Sequence, residues 1–135
     1  MALNGAVIEK SLEVVGEICE DPTPQVYQKL FQKFPEVEEL FILDENMSAR
    51  GHMQFEALEC VLDLIGPRTY ATTLIQSERI NHDGLGVPVE TFREFFPTIK
   101  ETFQELAGDA WTREFEAAWT ELLADVSQII DRTYD

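Results

Sequence analysis

Proline and glycine cut this sequence into blocks of helix length. The cuts are Asp21-Pro22-Thr23-Pro24, Pro35, Gly51, Gly66-Pro67, Gly84 with Gly86 and Pro88, and Gly108. Glycine stops helices because it tolerates positive φ, and proline restarts them because its φ is already helical. Between the cuts, apolar residues recur at three- and four-residue steps. No stretch alternates apolar and polar residues for long enough to make a half-buried strand. A chain punctuated in this way is expected to be all-α, and to form one domain over residues 1–135.

The blocks follow in order. Val7, Ile8, Leu12, Val15 and Ile18 make a helical stripe behind Asn4, a capping residue type. Thr23 is expected to cap and Pro24 to open a second helix through Val26, Tyr27, Leu30, Phe31 and Phe34. A short helix runs from Pro35 to about Leu40 and Phe41. Leu43 to Gly51 is polar and reads as a loop or frayed turn. A helix over Gln54 to Ile65, beginning as early as Met47, puts Met53, Ala57, Val61 and Leu64 near one stripe. Tyr70 to His82 is a less regular helix. Pro88 to Leu106 reads as one helix with Phe92, Phe95, Phe96, Ile99 and Phe103 on a face. Gly108-Asp109 ends it. Thr112 caps a last helix carrying Phe115, Trp119, Leu122, Val126 and Ile129.

At 135 residues the chain has a domain's length, and 44% apolar content with nine Phe and two Trp can fill a core. Its formal net charge of -16 argues against nucleic-acid backbones and anionic membrane surfaces, which select Lys and Arg. No apolar run reaches the roughly 20 residues of a spanning helix, and the first residues lack the pattern of a secretory signal. Cys19 and Cys60 are far apart and outside any CxxC pattern, as inert core cysteines of a reduced, cytoplasmic protein would be.

Several chemistries have no residues to carry them. There is no phosphate-cradling glycine loop, no zinc spacing, no HExxH and no nucleophile elbow. His52 with Glu56, and Glu78 with His82, are i,i+4 pairs that would form a transition-metal site if their helices faced each other. The same spacing arises by chance in an acidic helical chain, and the di-iron signature Glu-x-x-His is not met. His82, just before Gly84, is placed either to reach a ligand held between helices or merely to end a helix with a favourable dipole interaction.

Three stretches together resemble a known family. VYQKLFQKFPEVEELF (Val26–Phe41), His82-Asp83-Gly84-Leu85-Gly86-Val87 and GDAWTREFEAAW (Gly108–Trp119) look like single-domain bacterial globins and the haem domains of flavohaemoglobins. The likeness spans nearly the whole chain in the right order. It implies a globin-like fold of about seven to eight helices around haem b. Position by position, His82 matches the proximal histidine that ligates haem iron. Phe41 matches the phenylalanine wedged against the porphyrin. Tyr27 matches the distal tyrosine that donates a hydrogen bond to an iron-bound gas. Met53 falls nearest the distal position of the fifth helix, with Ala57 and Val61 lining the pocket. His52 is one residue away, but Met53 is preferred because it puts Ala57, not Glu56, a turn deeper. Val87 and Phe92 fall at the proximal and far edges of the ring.

The chain also departs from that family. Glu78 stands where an apolar residue normally meets the porphyrin, so its carboxylate must point outward, pair, or mark an altered pocket. Phe92 replaces a tyrosine of the proximal hydrogen-bond network, and the usual distal glutamine is missing. No reductase domain follows, so NO dioxygenase turnover would need a separate reductase. The resemblance therefore implies a binder of O2 or another diatomic gas rather than a self-contained enzyme. A haem-free globin fold used for sensing or protein interaction is the competing reading, and a generic helical metal- or partner-binding bundle is a third. Phenylalanines between Phe92 and Phe103 would serve a homodimer interface as readily as a core.

Overall fold

The computed structural model describes residues 3–134. Among them are α1 (Gly5–Ile18), α2 (Thr23–Lys33), a 3-10 helix (Pro35–Phe41), α3 (Ser48–Leu64), α4 (Ala71–Gly84), α5 (Val89–Arg93), α6 (Phe95–Ala107), a 3-10 turn (Gly108–Ala110) and α7 (Arg113–Asp131), with no strand. Helix α1 packs on α6 and α7, α2 on α6 and α3, and α4 on both α3 and α7. The fold is all-α, and no described helix is long and apolar enough to cross a membrane.

Several ends form for the reasons the sequence suggests. Asn4 accepts from the Val7 amide at 3.4 Å and Thr112 from the Phe115 amide at 3.1 Å. Each satisfies an amide that has no partner inside its own helix. Gly108 takes φ +55° at the end of α6, a region that L side chains adopt at a cost.

Other ends differ. Thr23 is already helical, and Asp21 does the capping by accepting from the Thr23 amide at 3.1 Å and its hydroxyl at 2.6 Å. Only the first part of the expected loop at Leu43–Gly51 is non-helical, because α3 begins at Ser48. Asp44 makes this early start favourable: its carboxylate accepts from the amides of Ala49 at 2.9 Å and Arg50 at 3.1 Å. The long helix read from Pro88 to Leu106 is two helices meeting at Glu94. Pro97 explains the break, since it has no N–H to give the Arg93 carbonyl and its ring would crowd that oxygen. In the first turn of α6 the missing N–H costs nothing.

The phenylalanine stripe is spent inside. Phe96 and Phe103 are buried, and Phe92 and Phe95 pack against the same core. These phenylalanines therefore take the core, one of the two roles the sequence left open to them. The two Glu/His pairs form within their own helices, with His52 3.0 Å from Glu56 and His82 3.7 Å from Glu78. They do not converge, and no cluster of metal-ligating side chains occurs among the described residues.

Candidate functional site

A buried carboxylate sets the position of α4, and with it His82. Asp63, in the last turn of α3, is 4% exposed. It accepts from the amides of Thr69 at 3.0 Å, Tyr70 at 3.0 Å and Ala71 at 2.8 Å. Three otherwise unpaired donors at the start of α4 are thereby tied to α3, and a negative charge sits at the helix's positive end. Burial alone would raise the Asp63 pKa, but these bonds outweigh it and hold the carboxyl below its ordinary range.

The other end of α4 is closed by the glycine pair singled out in the sequence. Gly86 has φ +86°. The Val87 amide reaches back to the His82 carbonyl at 2.9 Å and the Gly86 amide to Asp83 at 3.0 Å. This double bond pattern around a left-handed residue is a Schellman cap. It ends α4 just past His82 and folds Val87 back beside the histidine.

Between α2, α3, α4 and α5 lies an open apolar cleft lined by Tyr27, Phe41, Met53, Ala57, His82, Val87 and Phe92, with Phe95 from α6. Its cavity volume is about 120 Å³, many times the roughly 10–15 Å³ that one water needs. Ordinary cores leave few voids larger than a water, so the cleft is no packing defect. Val61, by contrast, is fully buried in the core and lies outside the lining. His52 points away, its side chain 68% exposed. Met53 is the residue of that pair that faces the cleft.

His82 is held in one tautomer. Its Nδ1 lies 2.7 Å from the Glu78 carbonyl oxygen. A carbonyl only accepts, so Nδ1 carries a proton, and Nε2 is the ring nitrogen left available to a metal. The Phe92 ring packs beside it at 5.1 Å between centroids. Across the cleft Tyr27 is 2% exposed and wedged among Phe41 at 5.4 Å, Phe95 at 5.7 Å and Phe31 at 5.8 Å. Burial raises its pKa far enough that the hydroxyl stays protonated, and the nearby Arg50 only partly opposes this. No hydrogen bond to that hydroxyl forms among the described residues, which leaves its donor free.

The lining also holds Glu78, the departure noted in the sequence, and Glu56, Cys60 and Leu74, which the sequence did not place at the site. Burial, then neighbouring carboxylates, push the Cys60 thiol up to about 11, so it stays an inert thiol. Phe95 and Leu74 read as ordinary core positions, because helical periodicity marks a face without saying whether the space before it is filled.

An all-helical fold that presents a histidine and a protonated tyrosine to one apolar slot has the form of a cofactor-binding helical protein. The family model described as Globin matches residues 24–130, and the chain belongs to the globin family. It is also similar to a flavohemoprotein of Vibrio cholerae serotype O1 (strain ATCC 39315 / El Tor Inaba N16961), 28% identical over 128 residues. The match takes in 93% of this chain and 32% of that relative, so the chain spans about a third of the relative's length. Membership of the globin family implies haem as the cofactor. The residues present fit it: an apolar slot, a histidine with a free Nε2, and an unpaired hydroxyl donor.

Proposed function

We propose that this protein binds haem b in the cleft through His82 and takes up O2 or another diatomic gas there. The observation that supports the reading best is the 2.7 Å contact of His82 Nδ1 with the Glu78 carbonyl, which leaves Nε2 available to a metal at the cleft. When bound, haem would supply an iron centre able to take up a small gas.

The chain's own residues would do the rest. His82 would hold the iron through Nε2, with its ring fixed by the Glu78 carbonyl and by Phe92. Phe41, Val87 and Phe92 would supply apolar surface for the porphyrin. Met53 and Ala57 exclude water from the gas side. Tyr27 holds its proton in that dry space and offers a hydrogen bond to a polar gas. Val61 is assigned no contact with the cofactor and supports the wall from the core. The assignment treats the described fold as one globin-like domain. Turnover of the gas would draw electrons from a reductase, and free Cys19 and inert Cys60 accord with a reduced, cytoplasmic setting.

Replacing His82 by Ala tests the assignment. The variant should lose the spectrum of a histidine-bound reduced haem and regain it with added imidazole. A reduced spectrum identical to that of the parent protein, without imidazole, would exclude His82 as the ligand.

A further inference from the structure

Glu78 contributes two oxygen acceptors to one nitrogen. Its backbone carbonyl lies 2.7 Å from His82 Nδ1, and its carboxylate Oε2 lies 3.7 Å from the same atom. Asn81 Nδ2 donates to the second carboxylate oxygen at 3.5 Å. The side chain is 35% exposed and borders the cleft. No Lys or Arg pairs with Glu78 among the described residues, and the other neighbour of the imidazole, Phe92, offers no acceptor. A half-buried carboxylate on an apolar wall is costly unless something compensates it. Here the polar groups beside it are the Asn81 amide and the Nδ1–H of His82.

We propose that Glu78 is a positioning residue for His82, its carboxylate acting through Nδ1–H to make Nε2 a stronger donor to haem iron. The inference rests on His82 as the axial ligand. At 3.7 Å the carboxylate is beyond hydrogen-bond range, so its influence is Coulombic, added to the hydrogen bond from the carbonyl. Negative charge next to Nδ1–H draws that proton outward and shifts electron density toward Nε2. The ferric state, with the greater positive charge, gains more from this than the ferrous state does. Carboxylates behind metal-bound histidines act in this way generally. Here the carboxylate comes from one turn earlier on the histidine's own helix, while Phe92, packed against the same imidazole from α5, offers no polar partner.

The test uses Glu78→Gln and Glu78→Leu in the full chain, with the iron–histidine stretching vibration of the reduced haem protein read by resonance Raman. Both variants should fold, as circular dichroism would check. Both should show a lower stretching frequency and a more positive reduction potential, with Gln between the parent and Leu. Hemin affinity should fall by about tenfold, the lower end of the range for losing such a partner. A side chain that merely fills space would change affinity and leave frequency and potential unmoved. An iron–histidine band in the parent that stays at the same frequency in both variants overturns the role of Glu78 alone. No such band in the parent overturns the axial assignment of His82, and this inference with it.

Discussion

Two buried aromatic residues, both with a polar handle, are treated differently in this molecule. Between α1, α6 and α7, Trp119 is fully buried, meets Phe103 edge-on at 6.2 Å, and gives its indole N–H to Ser11 at 2.9 Å. The Ser11 hydroxyl in turn donates to the Ile8 carbonyl at 2.6 Å. Between α2, α3 and α4, Tyr27 is almost as buried, yet its hydroxyl is left without a protein partner beside an open cleft. A region that satisfies every donor and fills its space is built for stability. A region of similar apolar composition that leaves a donor and a histidine nitrogen free is built to be completed by something else.

That contrast can be broken at the filled region first. Trp119→Ala should cost about 3–5 kcal/mol, because the large indole leaves a cavity that rigid helices cannot close. Denaturant unfolding followed by circular dichroism measures it. Ser11→Ala should cost about 1–3 kcal/mol in the same assay, since it leaves the Trp119 N–H buried and unpaired.

Tyr27→Phe sharpens the comparison from the other side. With no hydrogen bond to lose, the folded state should change by less than about 0.5 kcal/mol. The same change should speed O2 dissociation from the reduced haem protein roughly fivefold, for the loss of a donor giving about 1 kcal/mol, as stopped-flow would detect. Equal stability losses at Ser11 and Tyr27 would remove the distinction between the two regions.

The last effect is read from its loss in acid. Asp63 has a depressed folded-state pKa, so its contribution is complete above the ordinary aspartate value of about 3.9 and fades as pH falls through the lower folded value. Asp63→Asn should therefore sit below the parent in stability by a constant gap at neutral pH. That gap should close below about pH 4. A gap unchanged down to pH 2 would mean that the carboxylate charge is not what holds α4.

How much of this was legible in the sequence depended on the range of the interaction. Asn4, Thr112 and Gly108 act within a few residues of themselves, and local rules find them. Asp44 and Asp63 reach amides several residues ahead across a turn, so no short capping pattern marks them. The break at Glu94 was missed because the apolar stripe continues across it, while Pro97 sits three residues past the break. At the site, His82 was marked by the glycines behind it. That Tyr27, Phe41, Met53 and Phe92 share one cleft while Val61 faces the packed core depends on how α2, α3 and α5 cross. Periodicity along one helix says nothing of that. The orientation of Glu78 was likewise open, because both its carbonyl and its carboxylate lie within reach of the next-turn histidine.

The central claim is that the cleft is a haem site with His82 as its iron ligand, and titration of the purified protein with hemin, followed by reduction and exposure to CO, tests it most directly. The account predicts uptake of one hemin per chain, a sharp Soret band, and a shift of that band on adding CO. No stoichiometric uptake would contradict it and would leave a haem-free globin fold, for which sensing or protein interaction is the reading to pursue.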